Sequence, residues 1–210
     1  RLRRIRAGLR YGQATLENSP ILFGNSFPKS GTHLLAQVLQ AFPRIGLAVD
    51  RGMGPILTFV RSTGRRRTSQ EILSDLRQLK PGDICFGHVI AEPEIQAELH
   101  PGSSQTQPQS LVQRKIAHFF MLRDPRDAVV SHAYYLPSKA VHNVHHQYYR
   151  SLPSLDDRIR ASILGRPDME GLFPTIRERF ELYLNWLDCP EVCLLRFEEF
   201  ITDRYASLAK

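Results

Sequence analysis

Between Pro20 and Phe42 the chain changes its apolar period twice, and few folds accommodate that change. Pro20 to Ser26 (PILFGNS) reads as a short buried strand, and Phe27 to Gly31 is built from turn residues. From Thr32 onward, Leu34, Leu35, Val38 and Leu39 recur at helical spacing until Pro43 stops them. A strand that turns through Pro and Gly directly into a helix opens an α/β nucleotide-binding unit. The turn itself is Pro28-Lys-Ser-Gly-Thr32. A helix starting there offers free N–H groups and the positive end of its dipole to an anion. Ser30 and Thr32 add hydroxyl donors, and Lys29 adds a point charge suited to a developing negative oxygen. A plain structural turn is the competing reading. The loop is not a Walker A motif, because Pro28 stands where a Gly normally precedes the Lys, and this demotes a kinase or nucleotide hydrolase.

The rest of the chain repeats the alternation. Thr68 to Glu71 is a capping-box pattern, followed by Ile72, Leu73, Leu76 and Leu79 at helical spacing. Asp83 to Val89 reads as a strand with His88 at its end, and Lys115 to Leu122 as a buried strand. Asp124 is placed to cap, and Pro125 to begin, a helix running through Ala133. Residues 100–110 read as a polar surface loop and 136–153 as an irregular His- and Tyr-rich stretch. A helix follows from Leu155, then an amphipathic one from about Pro174 to Leu187, and a strand from Val192 to Arg196. This predicts an α/β fold: a three-layer, P-loop-like domain with a central, largely parallel sheet flanked by helices. With 210 residues and 42% hydrophobic residues, one such domain can bury a core. Residues 1–18 form a basic N-terminal segment outside it, carrying Arg1, Arg3, Arg4, Arg6 and Arg10.

Two further groups stand at predicted strand ends. Arg123-Asp-Pro-Arg-Asp127 is followed by Ser131. A planar, permanently charged Arg123 and a hydroxyl two helical turns on can grip one phosphate; Arg126 and Asp127 read as turn-holding charges. A simple helix cap is the alternative. His88, with an ordinary imidazole pKa of about 6.5, suits removal of a hydroxyl proton at neutral pH, and a packed or surface His is the alternative.

Ser26-Phe-Pro-Lys-Ser-Gly-Thr-His33 resembles the phosphosulfate loop of the cytosolic-type sulfotransferases, whose pattern is close to [TS]-[YF]-P-K-S-G-T. The Arg123-Asp-Pro-Arg-Asp127 run with Ser131 resembles that family's 3′-phosphate motif, and His88 stands where its catalytic base is found. The resemblance covers about residues 20–208. It implies 3′-phosphoadenosine 5′-phosphosulfate (PAPS) as co-substrate and no metal. Lys29, Ser30, Gly31, Thr32 and His33 would then cradle the 5′-phosphosulfate, with Lys29 also catalytic. Arg123 and Ser131 would hold the 3′-phosphate, His88 would act as base, and Phe197 would lie near the adenine, although a core aromatic is an equal reading of that residue. The acceptor would be a small molecule or a carbohydrate. The sequence departs from the family at Phe86, where a Lys is common, and at Leu34, where a Trp is common. It also lacks an Arg-Lys-Gly segment, so a C-terminally truncated domain is expected.

Net charge is +7, and a second cluster at Arg65, Arg66 and Arg67 adds to the N-terminal one. Solvated basic surface, or attraction of an anionic ligand, fits this better than nucleic acid, because no recognition motif accompanies the charge. The spacing of His142, His145 and His146 gives no metal set. No apolar run is long enough to cross a bilayer. With only 3 cysteines, a cytoplasmic location is expected, though a chain opening on Arg is compatible with an upstream signal or anchor. The rivals to a sulfotransferase are a P-loop kinase or hydrolase, which would need Mg²⁺ ligands, and an inactive polyanion-binding remnant.

Overall fold

The structure, a computed structural model, describes residues 2–45, 47–50, 52–100, 115–169, 171–203 and 205–206. Most of the polar loop expected at 100–110 lies outside them. The strands are β1 (Ile21–Ser26), β2 (Ile56–Leu57), β3 (Ile84–His88), β4 (Ile116–Leu122) and β5 (Val192–Arg196). The helices are α1 (Leu2–Tyr11), α2 (Gln13–Glu17), α3 (Thr32–Leu39), α4 (Phe42–Ile45), α5 (Ser69–Arg77) and α6 (Pro93–Leu99). They continue with α7 (Pro125–Ser138), α8 (His146–Ser151), α9 (Leu155–Leu164), α10 (Ile176–Leu184) and α11 (Phe197–Thr202).

All five strands are parallel, in the order β2-β3-β1-β4-β5. Strand β1 is buried along its whole length, as a central strand covered on both faces must be. Its side chains alternate between two cores. Ile21 and Phe23 pack with Ile72, Leu76 and Ile95 of α5 and α6 and with Tyr183 of α10. Leu22 packs with Leu35 and Leu39 of α3 and Phe200 of α11. Neighbouring strands split the same way: Cys85 and Phe120 enter the first core, Ile84 and Met121 the second. The predicted three-layer architecture is therefore the observed one. Gly24 lets α3 pack close on β1, because a Cβ there would stand 2.9 Å from Leu39 Cδ1 and 3.1 Å from Leu35 Cδ2.

Local readings hold at the helix starts. Thr68 and Glu71 close the capping box of α5, and Asp124 accepts from the Arg126 amide with Pro125 as the first helical residue of α7. Elsewhere the structure differs. Helix α7 runs through Pro137 to Ser138, and α8 lies inside the stretch expected to be irregular. There His146 is buried and its Nδ1 donates to the Leu136 carbonyl at 2.7 Å, satisfying an acceptor at the end of α7. The amphipathic helix is shorter than its apolar pattern, because Thr175 caps it with Glu178 and Leu187 lies beyond its end, 38% exposed. The basic N-terminal segment is helical and docked. Arg4 donates to the Pro81 carbonyl at 2.7 Å and pairs with buried Asp83, while Arg3 pairs with Asp50.

Candidate active site

In an open parallel sheet, ligands bind in the crevice beyond the carboxyl ends of the strands. Here the carboxyl ends of β1, β3 and β4 deliver the Lys29 loop, His88 and Arg123 to one cavity of about 560 Å³. Lys29, Gly31, Thr32, His33, Arg123 and Ser131 all line it, as does His88. Ser30 is buried beneath the loop, and Phe197 packs behind it rather than on the cavity wall.

The loop is shaped by its backbone. Lys29 has φ 71° and Gly31 φ 100°, both in the left-handed region. At Gly31 a side chain is excluded twice, by its φ and because a Cβ would meet Phe197 Cδ2 at 2.5 Å and Met121 Sδ at 2.8 Å. The Leu35 amide is the first to bond back, to the Gly31 carbonyl at 3.0 Å, so the amides of Thr32, His33 and Leu34 precede the helical ladder and are available to an anion. Two atoms deepen that impression. Ser30 Oγ and Arg123 Nε are both buried and without a hydrogen-bond partner. Buried polar atoms in a folded protein are normally satisfied, and an oxyanion between them would accept from both.

The cations are crowded together. Arg123 lies over the Phe197 ring at 4.4 Å and donates to the Lys29 carbonyl at 3.4 Å. Lys29 Nζ stands over the Tyr135 ring at 3.6 Å. Burial, and then the neighbouring Arg123 charge, push the Lys29 pKa down from its ordinary value. The Phe197 ring packs against both Arg123 and Gly31. In the Arg-Asp-Pro-Arg-Asp run, Arg126 pairs with Asp124 rather than with Asp127, whose nearest cation is Arg123 at 3.9 Å.

His88 is held from one side. Its Nδ1 lies 2.9 Å from the Ser26 carbonyl, which can only accept, so Nδ1 carries the proton and Nε2 the lone pair. The Ser26 hydroxyl, 3.3 Å from the same nitrogen, also bonds Thr32 Oγ1 at 2.7 Å and so ties the histidine to the anion loop. Burial pushes the His88 pKa down to about 4, against the opposing effect of the Ser26 bond, and neighbouring cations lower it further. The ring is neutral at pH 7.

Sequence reasoning missed the residues that fix this geometry. Buried Asn25 exchanges two bonds with Val89, one from its Nδ2 to the carbonyl and one from the amide to its Oδ1, both 2.9 Å. Trp186 Nε1 donates to the same carbonyl at 2.9 Å. A lone amide inside an apolar strand was the available signal. Arg179 and Tyr183 also reach the cavity, and their helical spacing with Ile176 was the sign that an arginine sits on an otherwise apolar face. Of the clustered histidines, His142 and His145 both line the cavity, the first exposed and the second buried. The Arg65 to Arg67 cluster is committed to acids, pairing with Glu71, Glu92 and Asp75. No helix among the described residues is long and apolar enough to cross a membrane.

No protein-family model matches the chain, and no curated protein matches it by sequence. Among solved structures, mouse sulfotransferase SULT7A1 complexed with PAP is similar over 93% of this chain, with a TM-score of 0.52 and 16% identity. The chain spans 59% of that protein's length. The likeness is one of fold: both chains build the same kind of helix-flanked α/β sheet.

Proposed function

We propose that this chain is a sulfotransferase domain that takes the sulfo group of PAPS and passes it to a hydroxyl or amine acceptor, leaving 3′-phosphoadenosine 5′-phosphate (PAP). The observation that carries the reading is the convergence on one cavity of a left-handed Lys29 loop, with unsatisfied Ser30 buried beneath it, Arg123 with its unsatisfied Nε, and a tautomer-fixed His88. The sulfotransferase fold, the PAP held by the similar mouse protein and the sequence motifs all support it.

In this reading the amides at the start of α3, with Ser30, Thr32, His33 and Lys29, hold the 5′-phosphosulfate. Arg123 and Ser131 hold the 3′-phosphate. Bound PAPS supplies an electrophilic sulfur and a phosphate leaving group. Lys29 lies where charge builds on that phosphate, and its lowered pKa comes from a desolvated setting in which an anion is strongly attracted. His88 Nε2 accepts the acceptor's proton. A base with a pKa of about 4 cannot ionise a phenol beforehand, since that would cost about 8 kcal/mol for a group titrating near 10. Proton transfer therefore accompanies attack on sulfur, and positioning supplies most of the rate. A P-loop hydrolase is disfavoured because the neighbouring strands end in His88 and Arg123, where a metal-binding Asp would be needed.

Calorimetric titration tests this. PAP is expected to bind more tightly than adenosine 5′-phosphosulfate, which lacks the 3′-phosphate. Arg123→Ala is expected to weaken PAP by about 1.5–3 kcal/mol, the worth of a charged hydrogen bond. Equal affinity for the two nucleotides, or undiminished PAP affinity in the variant, rules the assignment out.

A further inference from the structure

Arg179 occupies a setting that its own fold does not complete. It lies on α10 and faces the cavity, with its guanidinium over the Phe173 ring at 4.1 Å. One terminal nitrogen donates to the Ser162 carbonyl near the end of α9. Its Nε is buried and has no acceptor, and among the described residues no carboxylate comes within ion-pair distance. Nor is any described residue lining the cavity an Asp or a Glu. Besides the Phe173 ring, the cavity is lined by apolar residues such as Leu57, Phe59 and Val144, and His132 and His145 lie near Arg179. A half-buried cation with a buried, unpaired Nε and no counter-ion is costly to keep, and an incoming anion lowers that cost.

Arg179 stands on a different helix from the cations assigned to the nucleotide. Lys29 and Arg123 stand together at the starts of α3 and α7. Arg179 stands one helical turn before Tyr183, whose hydroxyl donates to the His88 carbonyl at 3.5 Å. Arg179 and His88 line the same cavity.

We infer that Arg179 is a specificity-determining residue that selects acceptors carrying an oxyanion, such as a carboxylate, beside the hydroxyl to be sulfated. The inference deepens the sulfotransferase reading and rests on it for the identity of that hydroxyl. The apolar wall takes the body of such an acceptor, His88 faces its hydroxyl, and the unused donors of Arg179 take its anion in a fork that an amide or ester cannot match.

The test is calorimetric binding to the full chain, first of PAP and then, with PAP present, of two probes: 3-(4-hydroxyphenyl)propionate and its uncharged amide. The acid is expected to bind about ten- to a hundredfold more tightly than the amide. Arg179→Gln is expected to weaken the acid to the level of the amide and to leave the affinities for the amide and PAP unchanged. Equal binding of acid and amide by the native chain overturns the inference, as does failure of both probes to bind at millimolar concentration, and neither result needs a variant to fold. An acid preference that survives Arg179→Gln overturns it too. Failure of PAP to bind while acid and amide, titrated without it, still differ through Arg179 removes the sulfotransferase reading and keeps the anion site. Tight PAP binding without that difference does the reverse.

Discussion

Gly31 shows how little freedom the anion loop has. With φ 100° and Phe197 Cδ2 only 2.5 Å from where a Cβ would sit, Gly31→Ala combines backbone strain with overpacking. A loss of about 2–4 kcal/mol in unfolding free energy is expected, read from the urea midpoint, together with weaker PAP binding. His88→Ala acts differently. In the proposed reading the histidine faces the acceptor, so turnover on a hydroxyl acceptor should fall by about two to four orders of magnitude while PAP affinity stays within about twofold. Wild-type turnover in that variant would move the base elsewhere. Lys29, Ser30, Arg123 and His88 were all visible in the sequence, because each is a chemically distinctive residue next to a strand or helix signal. Arg179 was not singled out, because its significance lies in the missing carboxylate, and absence of a partner is a property of packing.

At the scale of elements, Asn25 joins β1 to the chain leaving β3, and it does so in a fully buried position. Asn25→Leu keeps the branched shape and removes the acceptor of the Val89 and Ser26 amides, while Trp186 still serves the Val89 carbonyl. The expected cost is about 1–3 kcal/mol, with a fall in turnover larger than the fall in PAP affinity, because His88 adjoins Val89. Thr68→Ala, far from the cavity, should lower stability by about 0.5–2 kcal/mol through loss of the α5 cap and leave PAP affinity unchanged, by thermal melt and calorimetry. Strands β1, β3, β4 and β5 and the starts of α3, α5 and α7 were legible because local signals and tertiary packing agree there. Helices α1, α6 and α8 and the two-residue β2 were not. They form where distant groups hold them, as Arg4 on Asp83 holds α1 and His146 on Leu136 holds α8.

The whole molecule carries an acid sensitivity set by buried histidines. Burial holds His88 and His145 at about 4 and pushes His132 and His118 well below their ordinary value. In the unfolded chain each returns to about 6.5 and binds a proton that the folded form refuses. Between pH 6.5 and 4 the unfolded state thus holds more protons, and stability falls as pH falls, by at most about 1.4 kcal/mol per unit for each histidine. The paired carboxylates Glu71 and Asp124, lowered to about 2, lose their contribution only in more acid solution. Urea midpoints from pH 7 to pH 4 should decline steadily, and a flat profile over that range would contradict the buried, neutral state of these rings. The strand order β2-β3-β1-β4-β5 has a consequence for synthesis as well. A ribosome releases β1 and the Lys29 loop early, the flanking β3 and β4 afterwards, and Phe197, on which Gly31 rests, later than every other part of the site. Until β3 and β4 have been made, the nascent chain displays an apolar strand whose flanking partners do not yet exist, and shielding by a chaperone or the exit tunnel would protect it.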